Sequence, residues 1–353
     1  MSATRADHLQ AVLDRPLPVW AAPMAGVSSP ALAAAVSEAG GLGCLAGGLL
    51  GAGALAEEVD AYRSATRAPV LVNLFTPQTD RSAELGPEFA RYAAELGPTA
   101  ARHGTEVGTA RHDHDQFEEK LAHLLDAPVE AVTFTFGPVE PDVVGRLQDV
   151  GTAVGFTVTS RHEADLAVAL GADFLVAQGA GAGGHRGTWH LSDVPNELDT
   201  AEVLAQVLPT GLPVVATGGV DGPDGVRALL GAGAVAVAVG TLFVPSAGSR
   251  ASAAHVAALR DPARVEARVT RAFTGRPARS LVNDFVREHD GHAPAAYPDV
   301  HHQSRPIRAA SAAAGDPEGI ALWSGSGHRA LWPQAEPVVA TDPAELTRQL
   351  AGG

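Results

Sequence analysis

The sequence predicts an α/β protein built as a (β/α)8 TIM barrel, with a smaller and mostly helical second domain. Three observations predict it. Short apolar runs alternate with helix-forming segments through residue 244. Eight of the runs are β-like, which is the number a closed parallel barrel needs. Most are continuously apolar rather than alternating, as strands covered on both faces must be. A doubly wound open sheet is the alternative fold.

Taken in order, the expected strands are 19–24, 41–46, 70–75, 131–136, 152–157, 174–178, 213–217 and 235–239. Helices are expected between them at 30–39, 57–63, 141–150, 161–170 and 223–230. Their starts carry the usual signals. Ser29 places a capping hydroxyl before Pro30, and Asp221-Gly222 precedes Pro223. Gly40, Gly171 and Gly231 are read as helix ends. Two regions break the rhythm. Residues 76–127 are polar and charged, and are expected to insert a helix pair after the third strand. Residues 245–353 hold helix formers without a strand repeat. They are read as an appendage covering the mouth of a barrel that occupies residues 1–244.

Composition narrows the function. Hydrophobic residues make up 46% and charged residues 18%, so the chain is globular rather than disordered. Forty acidic against 25 basic residues give a formal net charge of -15, which argues against a nucleic-acid partner. The single cysteine, Cys44, excludes an intrachain disulfide and a cysteine-based metal cluster. Its apolar neighbours make it a buried hydrophobe. Residues 1–15 are polar and lack the apolar core of a signal peptide. The longest apolar stretch, 228–244, is broken by Gly231, Gly233 and Gly240, so no membrane span is expected and the reading is cytoplasmic. His112 and His114 form a His-x-His pattern with no further ligand fixed nearby. They are read as part of a solvated acidic loop, and no metal site is expected.

The most informative stretch is residues 178–187, Gln-Gly-Ala-Gly-Ala-Gly-Gly-His-Arg-Gly, which follows the sixth strand. Five glycines in ten residues allow backbone to approach a flat or anionic ligand without intervening Cβ atoms. A barrel gathers the C-terminal ends of its strands at one face, where the loops after strands seven and eight often hold phosphate. Here those loops carry Gly218-Gly219 and Gly240-Thr241, whose amides suit an anion. The first strand ends in Ala22-Pro23-Met24-Ala25-Gly26, an apolar wall with accessible backbone. Asn73 ends the third strand and Gln178 the sixth. Gly183 and Gly184 lead into His185. Amides and phosphate donors around an apolar floor suit a planar heterocycle with one phosphate, and flavin mononucleotide (FMN) fits that description. His185, just beyond the glycines, is the candidate catalytic residue: a neutral imidazole takes up a proton, and a protonated one attracts an anion.

Together these residues resemble the nitronate monooxygenase family, formerly 2-nitropropane dioxygenases. The resemblance covers Ala22 to Val27, Asn73, the 178–187 loop, Thr217 to Val220 and Gly240-Thr241. It continues through Gly275 to Arg279 with Asn283, Tyr297 to His302, and Leu322 to Gly325. It implies an FMN-dependent oxidoreductase that oxidises small alkyl nitronates, and nitroalkanes in some members, with O2 to a carbonyl compound and nitrite. His185 matches the family histidine, which acts as base on nitroalkanes or holds the nitronate. An FMN-dependent NAD(P)H reductase of enoyl-thioester or quinone type is the alternative. A flavin-free phosphate-binding barrel and a flavin binder without turnover also stay open. Three positions depart from the family pattern: Gly181 replaces a common Glu, Leu242 a common Arg, and Thr135 a common His. Trp189 and His190 are candidates for the entrance. His301 and His302 are expected to pack the second domain against the barrel, and Arg276 and Arg279 either to bridge the two or to remain solvated.

Overall fold

The computed structural model describes residues 4–335 and 339–353; residues 1–3 and 336–338, which fall inside the two expected domain ranges, lie outside the described residues. Eight parallel strands close into a barrel. They are β1 (Val19–Ala21), β2 (Leu42–Ala46), β3 (Leu71–Phe75), β4 (Ala131–Thr135), β5 (Ala153–Val158), β6 (Phe174–Gln178), β8 (Val214–Thr217) and β9 (Ala236–Val239). β7 (Gly184–His185) stands outside the barrel. The closed order confirms the barrel over the open sheet, since β1 pairs with both β2 and β9. The β3–β4 register sets Asn73 beside Thr133 and Phe75 beside Thr135.

The barrel is sealed at its base by α1 (Arg5–Leu13), which the sequence analysis did not anticipate. A capping box between Thr4 and Asp7 starts it. Its Val12 packs with Trp20, Leu42, Cys44 and Phe174 inside the barrel floor, where Cys44 is the buried hydrophobe expected. Around the wall run α2 (Pro30–Glu38), α3 (Ala52–Ala65), α6 (Pro141–Asp149), α7 (Arg161–Ala169), α8 (Thr200–Val207) and α9 (Pro223–Gly231). Ser29 and Ser160 cap α2 and α7 by accepting backbone N–H bonds. Gly231 is the last residue of α9, as expected, while the left-handed glycine after the helix is Gly233.

Residues 76–127 do contain two helices, α4 (Ser82–Arg102) and α5 (Phe117–Asp126), but with different destinations. α5 packs on α3 and α6 as a barrel helix. α4 instead packs on α11 (Asp284–His289) and α12 (Asp299–Ala313) over the barrel mouth. Leu85, Phe89, Tyr92 and Leu96 join Phe273, Phe285, Val286 and Ile307 in a separate apolar cluster. Each such burial is worth about 1.5–3 kcal/mol, enough to assign α4 to the lid.

The segment after residue 244 is not purely helical and not confined to the mouth. Besides α10 (Ala253–Arg260), α11 and α12 it holds β10 (Ala267–Thr270) and β11 (Ala278–Leu281). These make an antiparallel sheet with β7, in the order β10-β11-β7. α13 (Pro343–Ala351) then returns to the wall between α9 and α2, against β1. It is the barrel's eighth helix, so residue 244 is not a boundary between barrel and appendage. Apart from α4, the lid is an insertion between the eighth strand and the eighth helix. No helix among the described residues is long and apolar enough to cross a membrane.

Candidate active site

Alternation along the strands decides which side chains face into the barrel. Asn73 and Phe75 of β3, and Thr133 and Thr135 of β4, point inward and line a cavity that opens toward the lid. Ala22, Pro23, Met24 and Ala25 line it from the first strand's end, whereas Gly26 does not and forms the turn behind them. Gln178, Gly183, Gly184, His185, Gly218, Gly219, Gly240 and Thr241 also line it. The structure thus gathers every candidate cofactor-binding and catalytic residue except Gly26 at one cavity. Among the described residues, no Asp or Glu lines it.

One end of the cavity is a backbone cradle. Gly218 and Gly219 take φ of +116° and +70°, a left-handed pair that only glycine adopts at little cost. Among the described residues, no backbone hydrogen bond engages their N–H groups or that of Thr241. The start of α9 lies just beyond, adding its dipole. The lid segment at Gly325 docks here, its N–H donating to Thr241 Oγ1 at 2.9 Å. Packing also explains Gly181: a Cβ there would lie 2.6 Å from Ser326 Oγ and 2.9 Å from Gly219 Cα. A glutamate at 181 does not fit this loop. Leu242 is fully buried in the apolar core.

The middle of the cavity is polar. Asn73 Oδ1 accepts from Thr133 Oγ1 at 3.0 Å and from Thr135 Oγ1 at 2.9 Å, and Thr135 lies 3.1 Å from Thr157 Oγ1. With its oxygen occupied, Asn73 presents its NH2 group to the cavity. Thr135 therefore does not leave a hole where the family histidine would stand. Gln178 uses both ends of its amide locally. It accepts from Gly187 N–H at 2.8 Å and donates to the His185 carbonyl at 3.2 Å. That clamp holds β7 in place.

The far end belongs to His185. It sits in strand β7, paired with Ala278, rather than in a free loop. Its Nε2 lies 2.9 Å from Thr274 Oγ1, while its ring packs with Phe75, Phe136, Tyr297 and Trp323. What exposure it has is to the cavity. Burial, followed by the positive charges of Arg276 and Arg308, pushes its pKa down to about 3. His301 and Arg308 of α12 line the same end. An Arg308 NH2 group donates to His301 Nδ1 at 3.1 Å, so the neutral His301 carries its proton on Nε2. Burial and Arg308 push its pKa down to about 2.

Other expectations resolve differently. His301 belongs to the cavity rather than to lid packing, while His302 bonds Asp113 at 2.8 Å. His112 is not solvated: it is packed 3.5 Å from the buried Asp299. Among the described residues, no group of three or more His, Cys, Asp or Glu is arranged to hold a metal ion. Trp189 is buried, its indole N–H donating to the Thr157 carbonyl at 3.0 Å, and is not at the entrance. Arg276 is fully buried and bridges, donating to Gln78 Oε1 at 2.7 Å and to the Thr188 carbonyl. Arg279 donates to the Ala180 carbonyl at 3.0 Å. Phe75, Phe136, Thr274 and Arg308 were not singled out as site residues, and Trp323 entered only through the family resemblance. For Arg308 a signal existed: it lies seven residues after His301, two helical turns along one face.

A family model described as nitronate monooxygenase matches residues 7–339. The chain belongs to the nitronate monooxygenase family. A nitronate monooxygenase of Pseudomonas aeruginosa is 38% identical over 342 residues, covering 91% of this chain and 93% of that protein. A probable nitronate monooxygenase of Bacillus subtilis is 30% identical over 322 residues, covering 89% and 91%. Among solved structures, a nitroalkane oxidase from Streptomyces ansochromogenes superposes with a TM-score of 0.90 at 45% identity over 97% of each chain. FabK from Thermotoga maritima, at 23% identity and a TM-score of 0.73 over 100% of this chain and 96% of that one, shares the fold. Nitronate monooxygenases are flavin oxidoreductases, and the cavity fits such a cofactor. The backbone N–H groups of Gly218, Gly219 and Thr241 suit a phosphate, and Asn73 with the Ala22–Ala25 wall suits a flat heterocycle beyond them.

Proposed function

We propose that this chain binds FMN and uses it to oxidise small alkyl nitronates with O2, giving a carbonyl compound and nitrite. Gly218, Gly219, Gly240 and Thr241 hold the phosphate, and Ala22, Pro23, Met24, Ala25, Asn73, Gly183 and Gly184 flank the ring. Gln178 serves the cofactor indirectly, by fixing the β7 strand. FMN, when bound, accepts the substrate's electrons and passes them to O2.

The observation that carries the substrate reading is a cavity rich in donors and, among the described residues, lined by no carboxylate. Arg308 and the His301 Nε2–H line it, with the Arg276 charge behind, in a chain whose net charge is -15. An anion is favoured there. His185 is neutral at working pH, and the Thr274 hydroxyl can turn its proton toward Nε2 or toward the Arg276 carbonyl at 3.3 Å. When it donates to Nε2, His185 offers Nδ1–H to a nitronate oxygen. An imidazole held near pKa 3 is a poor base for a neutral nitroalkane, because proton abstraction is efficient only near a matched pKa. His185 thus holds the nitronate, and preformed nitronates are the preferred substrates. The reductase alternative gains support from the fold alone.

The test is an anaerobic absorbance titration of the purified flavoprotein with ethyl nitronate and propyl-1-nitronate. Bleaching of the flavin is expected with both, and little bleaching with the parent nitroalkanes. A flavin untouched by either nitronate but bleached by NADH or NADPH would overturn the reading.

A further inference from the structure

Strand alternation does not account for the placement of Phe136. Thr133 and Thr135 face inward and Phe134 outward into the helix layer, so residue 136 is due to face outward too. Its ring instead lines the cavity beside His185, because its backbone turns to φ +89° at the end of β4. That region is rarely occupied by a bulky residue, and such exceptions concentrate at functional sites. The conformation is held from several sides. Gln78 Nε2 donates to the Phe136 carbonyl at 3.2 Å, and the same Gln78 accepts from Arg276. The Arg276 guanidinium lies 4.0 Å from the ring centroid. Phe75 packs against the ring at 4.4 Å between centroids, with His185 at 5.4 Å and Tyr297 at 5.6 Å. Next to it, a Cβ on Gly137 would lie 3.2 Å from the Trp189 carbonyl oxygen, so the chain has little room to swing away.

We propose that Phe136 is a specificity-determining residue: its fixed ring is the wall against which the substituent on the nitronate carbon packs, and it limits the substituent's length. This rests on the reading of the cavity as a nitronate site. The wall is apolar where the reacting group is held, since Phe75, Phe136 and Trp323 line the cavity around His185. A short alkyl group fits against it. A longer chain meets the ring, and the ring cannot yield, because Arg276 and Phe75 occupy two sides of it and the backbone is pinned by Gln78.

The experiment compares kcat/KM, per bound flavin, for the nitronates of nitroethane and 1-nitrohexane. It uses the wild-type flavoprotein and the variants Phe136→Ala and Phe136→Leu. Flavin content is read from absorbance. Removing the ring opens space beside His185, and discrimination by apolar volume runs to about 10-fold or more per pocket change. The hexyl-to-ethyl ratio is expected to rise about 10-fold in Phe136→Ala, chiefly through KM for the hexyl substrate, and less in Phe136→Leu. A purely structural role would lower both substrates together and leave the ratio where it was. An unchanged or falling ratio in the variants overturns the proposal alone, and Phe136→Leu decides it should the alanine variant not fold. A wild-type protein inert to every nitronate would overturn the nitronate reading itself.

Discussion

Replacing His301 with Gln should make the protein markedly less sensitive to acid. His301 is buried beside Arg308, and its pKa is pushed down to about 2 in the folded chain. In the unfolded chain it returns to about 6.5. Between those values the unfolded state carries a proton that the folded state refuses. Stability therefore rises with pH in this window, and falls as pH drops below about 6.5. At pH 5 the unfolded histidine is almost fully protonated, so the term amounts to about 2 kcal/mol, against about 0.1 kcal/mol or less at pH 7.5. The figure depends little on how far below pH 5 the folded value lies. In His301→Gln the term vanishes, while a glutamine oxygen can still accept from Arg308. Urea unfolding followed by tryptophan fluorescence at pH 7.5 and pH 5 measures it. Wild type should lose about 2 kcal/mol more than the variant between the two pH values. Equal losses would mean that the imidazole already titrates normally in the folded chain, and the reasoning about this buried end of the cavity would fail.

Two further outcomes follow from the same geometry. Gly219→Ala puts a side chain where φ is +70° and Ser326 Oγ lies 2.7 Å from the new Cβ, so the cradle must shift. At about 1–2 kcal/mol for a left-handed non-glycine residue, FMN affinity should fall roughly tenfold in a flavin-fluorescence titration, and an unchanged Kd would remove this loop from the cofactor site. Thr274→Val removes the hydroxyl 2.9 Å from His185 Nε2. Loss of one neutral hydrogen bond, about 1 kcal/mol, should lower kcat/KM for a nitronate about fivefold at constant flavin content, and full activity would show that His185 needs no such partner.

The barrel could be read from the chain because each wall strand is a local apolar run and several helix starts carry their own cap, as at Ser29 and Ser160. The glycine cradle was legible for a similar reason: the Gly218-Gly219 and Gly240-Thr241 pairs sit directly after their strands. The substrate end was not. His185 is placed by the pairing of the two-residue strand β7 with β11, where no local periodicity exists, while Trp323 comes beside β11 and His301 and Arg308 come from α12, far along the chain. Phe136 was hidden by the alternation rule itself, since only its left-handed backbone brings it inward. Gly181 looked like the loss of an acid from the family pattern, yet the packing of Ser326 and Gly219 against it requires the absence of a side chain.

The placement of α13 has a consequence for how the molecule is made and how it can be altered. Val239 ends the last strand of the wall and Pro343 begins the last helix, with most of the lid synthesised between them. The strand ring can close through β1 and β9 before α13 is made, but the outer layer between α9 and α2 is completed only when Leu346 and Leu350 pack there. Contacts that join such distant stretches of chain form slowly. The same arrangement makes residues 244–342 a cassette with both ends rooted in one wall. Substitutions there can reshape the mouth of the cavity while the eight strands and the Gly218-Gly219 cradle lie outside the inserted stretch.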